Sequence, residues 1–159
     1  MASGDPPVTR RPPEFSIDKD GVWHYRGSSI QREALVRMLA SMLQRQGEGY
    51  VLVTPEQNIR VQVDDAPFVV TDLECIDTDG AQGVCLITSV GDRVRLDADH
   101  PLVMRAGPDG VVRAYLVVAP GMQALVHRSV FYTLADRTTT READGRMGIH
   151  SFGCFFPLE

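Results

Sequence analysis

Residues 28–53, SSIQREALVRMLASMLQRQGEGYVLV, carry the pattern that decides the fold. Ser28 is a suitable helix cap, and Gln31 three residues later completes a capping box. The apolar residues that follow recur at helical spacing and predict one broad buried stripe. They are Ile30, Ala34, Leu35, Met38, Leu39, Met42 and Leu43. Gly47 or Gly49 should end the helix as its C′ residue, and the apolar run after them predicts a strand.

Strands should surround this helix on both sides. The run FSIDKDGVWHY, residues 15–25, predicts a hairpin that turns at Asp20-Gly21. It places Trp23 and Tyr25 on one face, most simply in the core. Alternating or apolar runs between residues 59 and 118 predict a β-rich middle, with turns between them. A second helix is predicted over about 126–137, followed by a strand over 146–151.

The pattern of a helix followed by a strand occurs twice in the sequence. Shifting the chain by 96 positions places Arg32 on Arg128 and Gly49 on Gly145, and apolar positions of the two helices coincide. Two interpretations remain open. The match can reflect an internal duplication into two packed sub-domains, or only the apolar periodicity that any two such units share.

Composition excludes several classes of function. The 159 residues are 43% hydrophobic and 23% charged, with a net charge of -5, so the basic excess of a nucleic-acid-binding protein is missing. No apolar run approaches the ~20 residues of a membrane span. Residues 1–13 are polar and proline-rich, which predicts a disordered leader rather than a signal peptide. We therefore expect a cytoplasmic protein without a membrane span and without a nucleic-acid partner.

The usual signatures of catalysis and metal binding are absent from the sequence. There is no phosphate-binding glycine loop, no H-E-x-x-H and no G-x-S-x-G. The four histidines have no metal-ligand spacing to one another or to a cysteine. The three cysteines, an odd number without a C-x-x-C pair, are most simply reduced core residues. The sequence thus predicts no enzyme, no metal site and no cofactor.

Two arginines at helix starts are the best candidates for a binding site. Arg32 is placed in the first turn of the first helix, where a cation opposes the helix macrodipole and so needs an anionic partner. That partner can be a protein carboxylate, with Asp64 and Asp65 as candidates. It can also be a ligand phosphate or carboxylate, which an arginine fork and a helix N-terminus both favour. His127-Arg128 repeats the arrangement and leaves the same two possibilities.

A single histidine and the acidic pair complete the candidates that the residues themselves indicate. His24 should point away from Trp23 and Tyr25, towards solvent or a cleft. Such a histidine is more often a hydrogen-bonding surface residue than a general base. Asp65 belongs either to a strand end and turn or to a carboxylate that faces Arg32 or a ligand hydroxyl.

Two stretches resemble a known bacterial family. Residues 20–43, DGVWHYRGSSIQREALVRMLASML, and residues 50–68, YVLVTPEQNIRVQVDDAPF, are similar to the DUF1285 family, a domain of unknown function. LDADHPL and the ending SFGCFFPL are similar as well. The chain departs from the family pattern at Ser29, where proline is usual, at Gln57 and at Asp64. The matching positions of the shared motif are Trp23, Tyr25, Arg32, Thr54, Pro55, Asp65, Pro67 and Phe68.

The resemblance implies a duplicated α+β fold. It would comprise two related β-rich half-domains, each with one main helix packed on mostly antiparallel strands. We place these half-domains at 14–72 and 73–159, and the C-terminal one would resemble pleckstrin-homology folds. The resemblance also implies a ligand cleft between the halves, a nucleotide-like ligand and a role in bacterial signal transduction.

The preferred hypothesis is a non-catalytic module that binds a small anionic, nucleotide-like ligand. The candidate ligand-binding residues are Arg32, Arg128, His24, Thr54, Asp65 and His127. The alternative is a protein-interaction scaffold that uses an exposed sheet face or edge, with a partner that the sequence does not identify.

Overall fold

The structure is a computed structural model that describes residues 13–78 and 80–158. The leader predicted over 1–13 lies outside these residues except for Pro13. No helix in the described part of the chain combines the length and the apolar character needed to cross a bilayer. The following account concerns these residues.

The N-terminal half forms a six-stranded sheet and one helix. Its elements are β1 (Phe15–Ile17), β2 (Trp23–Tyr25), β3 (Ser28–Ser29), α1 (Glu33–Met42), β4 (Leu43–Gln46), β5 (Gly49–Val53) and β6 (Asn58–Val63). The spatial order is β3-β2-β1-β6-β5-β4. Only the central β1–β6 pair of this sheet is parallel. β4 is therefore an edge strand.

The C-terminal half forms a second six-stranded sheet, a helix and a three-stranded sheet. The larger sheet contains β7 (Phe68–Thr78), β8 (Ala81–Thr88), β9 (Arg93–Arg95), β10 (Leu102–Ala106), β11 (Val112–Ala119) and β12 (Met122–Val126). Its order is β10-β11-β12-β7-β8-β9, with β12 parallel to β7. The chain ends with α2 (Arg128–Ala135), β13 (Thr139–Thr140), β14 (Met147–Ser151) and β15 (Cys154–Pro157).

The two halves are similar and β-rich, which confirms the duplicated α+β layout. In each half a helix is followed by three strands that pair antiparallel in chain order, β4-β5-β6 after α1 and β13-β14-β15 after α2. The shift of 96 positions is only approximate in three dimensions. Gly49 is the first residue of β5, whereas Gly145 lies in the turn before β14 with φ +73°.

The first helix is shorter than predicted at both ends. Ser28 does not cap it; Ser28 pairs with Tyr25 in the β2–β3 hairpin, and the N-cap is Arg32 in an extended conformation. The helix ends at Met42 because Leu43 is extended and pairs with Leu52 of β5. Pairing with β5 satisfies the backbone of β4 in place of helical hydrogen bonds.

The second helix is also shorter than the predicted 126–137. Val126 ends strand β12, the N-cap is His127, and the helix begins at Arg128 and ends at Ala135. The predicted hairpin before α1 is confirmed: β1 and β2 pair around a turn in which Gly21 has φ +81°.

One hydrophobic core joins the two halves. Ile17, Trp23 and Leu52 from the first half belong to the same buried cluster as Leu86 and Leu134 from the second. Trp23 is 1% exposed, but Tyr25 is 41% exposed, so the predicted core position of Tyr25 is wrong. Tyr25 packs instead against the Phe15 ring at the surface, with ring centroids 5.0 Å apart.

Candidate functional site

A cleft of about 620 Å³ opens between the two halves. The N-terminal half contributes Ala40 of α1 and the first three residues of β4. The C-terminal half contributes the start of β7, the β8–β9 turn with β9, and the β11–β12 hairpin. The lining residues are Ala40, Leu43, Gln44, Arg45, Phe68, Thr88, Asp92, Arg93, Val94, Val118, Ala119, Pro120 and Met122. Its volume lies within the range of small-molecule sites.

Arg45 is the cation that the N-terminal half presents to the cleft. Its Nε donates to the Gly47 carbonyl at 2.8 Å, and its Nη1 donates to the Tyr50 hydroxyl at 2.8 Å. The guanidinium also lies 4.8 Å from the centroid of the Tyr50 ring, a cation–π contact. Within residues 13–78 and 80–158, Arg45 forms no ion pair and its Nη2 has no hydrogen-bond acceptor. The local fold therefore orients the guanidinium without neutralising its charge.

A glycine in the facing hairpin allows Arg45 to take this position. Gly121, in the β11–β12 turn, has φ +73°, and a Cβ there would lie 2.8 Å from Arg45 Cγ. The hairpin of one half thus packs directly against the stem of the arginine of the other half. Any side chain at position 121 would be strained and would displace Arg45.

A tight turn positions the polar residues of the opposite wall. The backbone N–H groups of Thr88 and Asp92 both take part: Thr88 N–H donates to the Asp92 carbonyl, and Asp92 N–H donates to Thr88 Oγ1. This turn places Asp92 and Arg93 at the cleft. Arg93 also forms an ion pair with Glu74, which does not line the cleft. Arg45 is thus the lining cation without a carboxylate partner among the described residues.

The remaining wall of the cleft is apolar. Leu43, Phe68 and Met122 are buried and belong to the hydrophobic core, so this wall is a rigid extension of the core. A ligand with an apolar body would cover this surface while an anionic group reached Arg45. The site thus combines the apolar lining and the few polar groups that small-ligand sites require.

The cleft follows the edge of β4 rather than one face of the sheet. Leu43, Gln44 and Arg45 are consecutive, and all of them line it. Successive side chains of a strand point to opposite faces, so a groove lined by three in a row must run along the strand's edge. β4 is an edge of the first sheet, and β9, on the opposite wall, is an edge of the second.

The two predicted arginines do not line this cleft. Arg32 and Arg128 are both exposed, at the N-terminal ends of α1 and α2. Neither forms an ion pair with a described residue, so of the two possibilities left open for Arg32 the pairing with Asp64 or Asp65 does not occur. The unfavourable interaction of Arg32 with the helix macrodipole is weaker than expected, because Arg32 is the N-cap residue and not part of the first helical turn.

Three other predicted residues have local hydrogen-bonding roles. His24 Nε2 is 3.0 Å from Asp18 Oδ2, in the β1–β2 hairpin. Thr54 Oγ1 donates to the Gln57 carbonyl and accepts from the Gln57 N–H, which closes the turn before β6. His127 is the N-cap of α2, and its Nδ1 accepts from the Ser129 N–H at 3.2 Å. None of the three lines the cleft.

The sixth predicted residue, Asp65, joins the two halves at a buried polar network. Its side chain is 5% exposed and accepts a hydrogen bond of 2.7 Å from the Tyr115 hydroxyl. Arg105 lies 3.5 Å from the second carboxylate oxygen, stacks over the Tyr115 ring and donates to Gln123 Oε1. Burial, with the adjacent Asp65 carboxylate, raises the pKa of Tyr115 to about 12.

The described histidines and acids do not assemble into a metal site. No group of three or more His, Cys, Asp or Glu side chains converges within residues 13–78 and 80–158. His100 pairs locally with Asp97, with 2.9 Å between Nδ1 and Oδ1. The free cysteines differ in exposure: Cys85 is buried, Cys154 is half-buried and Cys75 is exposed, so the prediction of core cysteines is wrong for Cys75.

Sequence reasoning missed the residues that line the cleft. Arg45 was hidden because the helix prediction extended over β4. The available signal was the polar run Gln44–Gln46 before a G-E-G turn, which is typical of a hairpin. Arg105, Tyr115 and Gln123 come from three different strands, and only the pairing of β10, β11 and β12 brings them to Asp65.

The fold and the cleft define a duplicated α+β protein with a candidate ligand site between its halves. The chain belongs to the DUF1285 family. Residues 5–66 match the N-terminal domain of this family of unknown function, and residues 67–158 match its C-terminal domain. The family domains meet at 66/67, whereas the boundary predicted from the sequence, 72/73, falls within β7.

Two solved structures are similar to this chain. A DUF1285 family protein from Silicibacter pomeroyi DSS-3 is 36% identical, with a TM-score of 0.82, over 99% of this chain and 89% of that one. A DUF1285 family protein from Shewanella baltica OS155 is 28% identical, with a TM-score of 0.61, over 78% of this chain and 91% of that one. Among functionally curated proteins, none matches this chain.

Proposed function

We propose that this protein is a non-catalytic module that binds a small anionic ligand in the cleft between its halves. The observation that carries the proposal is the state of Arg45, a cation that lines the cleft, is held by two neutral acceptors and has no carboxylate partner in the described part of the chain. A bound phosphate or carboxylate would supply the missing anion and accept from the free Nη2.

The shape of the site favours a ligand with an apolar or aromatic body. Such a body would pack on Leu43, Phe68 and Met122 while the anionic group meets Arg45. A nucleotide satisfies both requirements and is the first ligand class to test. Binding between the halves would couple ligand capture to their relative arrangement, which is how a role in signal transduction would arise.

Arg32 and Arg128 remain candidates for ligand contact on their own surfaces. Both are exposed and lack ion-pair partners among the described residues, but neither lines the cleft between the halves. The proposal therefore assigns the principal anion contact to Arg45 and leaves these two arginines as secondary candidates.

The resemblance of the C-terminal half to pleckstrin-homology folds also stays a proposal. Its support is a mostly antiparallel six-stranded sheet with a single helix that packs on β7. In this half the helix is followed by β13, β14 and β15, so the order of elements near the C-terminus is the part to compare.

A protein-interaction scaffold is the second candidate. The exposed large apolar residues would serve it, and Val111 and Val112, 52% and 59% exposed, lie side by side at the tip of the β10–β11 hairpin. The other exposed apolar side chains belong to separate elements, so they support a scaffold less than the cleft supports a ligand site.

A thermal-shift experiment with matched arginine variants tests the ligand proposal. Nucleoside mono- and diphosphates, pyrophosphate and N-acetylaspartate are added to the protein; a ligand at about 100 times its Kd should add about 2.7 kcal/mol of stability. Arg45→Gln should remove the shift. Arg60→Gln, an exposed arginine on β6 outside the cleft, should keep it. Equal shifts in both variants, or no shift with any anion, would overturn the proposal.

A further inference from the structure

The geometry points to a more specific ligand class, and this inference rests on the proposed function. We infer that the cleft binds a short extended polypeptide segment that carries an acidic side chain. The segment would pair with the edge of β4, and its carboxylate would contact Arg45.

The first argument is the direction of the cleft. Because Leu43, Gln44 and Arg45 all line it, the cleft runs along the edge of β4 rather than over a sheet face. On the opposite wall Asp92, Arg93 and Val94 are again consecutive, and the last two belong to β9, the edge of the other sheet. A groove between two strand edges matches an extended chain better than a compact one.

The second argument is the unpaired backbone along these edges. Among the described strands, β4 pairs only with β5, and β9 pairs only with β8. Beyond these ladders, residues 44–46 and 93–95 make no backbone–backbone hydrogen bond within the described chain. A strand that is paired on one side keeps a row of free N–H and C=O groups on the other, which is the surface that strand addition uses.

The third argument is charge and side-chain alternation. An added strand places alternate side chains on the same side, so one residue can meet Arg45 while a neighbour two positions away meets the apolar wall around Phe68. Arg45 has no carboxylate among the described residues, so the side chain that meets it should be acidic. A peptide with an acidic residue and a β-branched residue two positions apart satisfies both requirements.

The test uses the whole protein and a defined peptide. Acetyl-Val-Thr-Asp-Thr-Val-amide is compared by calorimetry with its Asp-to-Asn analogue, with a form N-methylated at two consecutive residues, and with N-acetylaspartate amide. Consecutive N-methylation removes backbone donors from both edges of the peptide. We expect the unmodified peptide to bind at least about tenfold more tightly than each comparison compound, since backbone pairing and the ion pair each contribute.

Hydrogen exchange gives an independent readout of where the peptide binds. Amide exchange within residues 44–46 should slow when the peptide is bound, because the backbone groups on the outer side of β4 become paired. Arg45→Gln should weaken peptide binding by about tenfold, the loss of one charge-assisted contact, while Arg60→Gln should bind as the parent protein does. The comparison of methylated and unmethylated peptide uses the parent protein and so does not depend on how a variant folds.

Each result separates this inference from the function on which it rests. An N-methylated peptide that binds as well as the unmodified one, or unchanged amide exchange over residues 44–46, overturns strand addition. If small anions bind through Arg45 while the peptide binds no more tightly than N-acetylaspartate amide, the inference fails and the ligand proposal stands. If neither peptide nor small anion binds, both fail.

Discussion

The two copies of the helix-and-three-strand unit differ in what they leave open. In the second copy, β13–β15 form a sheet of their own, and the turn residue Phe152 docks its ring on Gly83 of the neighbouring sheet. In the first copy, β4–β6 belong to the six-stranded sheet. β4 is the edge strand of that sheet, and its outer side pairs with no other described strand. The same order of elements therefore closes one half and opens a cleft beside the other.

The difference is visible in two glycines that occupy equivalent strands. A Cβ at Gly148 of β14 would overlap the Phe156 carbonyl oxygen and the Phe155 ring, whereas a Cβ at Gly49 of β5 would meet only the Gln46 carbonyl, at 3.8 Å. The second copy thus has no space for a side chain at Gly148, whereas the first copy has space for one at Gly49. Close packing makes such differences costly to change.

The largest expected effect comes from filling these two positions. Gly148→Ala should destabilise the protein by about 3 kcal/mol, because the overlap is with backbone that cannot move without breaking the β14–β15 ladder. Gly49→Ala should change the free energy of unfolding by no more than about 0.5 kcal/mol. Urea unfolding of both variants measures the difference. Similar losses in the two variants would show that the open copy is packed as tightly as the closed one.

The next effect concerns the network that joins the halves. Asp65→Ala leaves the Tyr115 hydroxyl and Arg105 without their buried carboxylate, and should cost about 2 kcal/mol. Asp64→Ala, at the exposed neighbouring position, should stay within about 0.5 kcal/mol of the parent. Chemical denaturation with two probes, Trp23 fluorescence and far-UV circular dichroism, would check it. If Asp64→Ala lowered the free energy of unfolding as much as Asp65→Ala, the contacts of the Asp65 carboxylate would not stabilise the packing of the two halves.

The same network predicts that the stability of the folded state falls at alkaline pH. The pKa of Tyr115 is raised to about 12 in the folded state, above its ordinary value of about 10. The folded state therefore holds the phenolic proton more tightly, so this contribution is complete below about pH 10 and is lost as the pH rises towards about 12. Unfolding measured near pH 9 and near pH 11 should show the loss.

Removing the hydroxyl provides the control for this pH dependence. Tyr115→Phe should be less stable than the parent near pH 9, because the bond to Asp65 is gone. It should also show a smaller loss between about pH 9 and pH 11, because this phenol no longer titrates. A parent and variant that decline in parallel would assign the alkaline loss to other groups.

The sequence predicted the elements better than their ends. Apolar periodicity located both helices, because a buried stripe reports on packing, but it does not distinguish a helix from a strand in the four residues after Met42. Leu43 fits the helical stripe and is buried, yet it pairs with Leu52 as a strand. Tertiary pairing decided its conformation, and local pattern carries no information about the pairing partner.

The candidate site was less accessible to sequence reasoning. The placement of a cleft between the halves follows from the family resemblance, whereas Asp65 follows from the acidic pair that precedes Ala66-Pro67. Arg45 could not be selected because its role depends on Tyr50, Gly47 and the facing Gly121, three residues whose proximity only the fold reveals. The sequence places Arg32 inside the first turn of α1, but the helix starts a few residues later and leaves Arg32 at the N-cap, which weakens the argument from the helix dipole.

The smallest effect compares the caps of the two helices. In α2 the His127 ring caps the helix by accepting from the Ser129 N–H, whereas in α1 the Arg32 side chain makes no capping hydrogen bond. His127→Ala should therefore cost about 1 kcal/mol. Arg32→Ser should stabilise the protein by about 0.5 kcal/mol, because serine can accept from the first-turn N–H groups and the cation at the positive end of the dipole is removed.

Thermal unfolding at low ionic strength measures both changes. An Arg32→Ser variant that is less stable than the parent would mean that Arg32 makes a favourable contact that its exposed N-cap position does not reveal. Retained stability in that variant, combined with a lost response to anions in the thermal-shift screen, would instead make Arg32 a ligand contact. The N-terminal half would then lose some stability at the N-cap of α1 because Arg32 serves ligand binding. The His127 cap of α2 would contribute only to the stability of the C-terminal half.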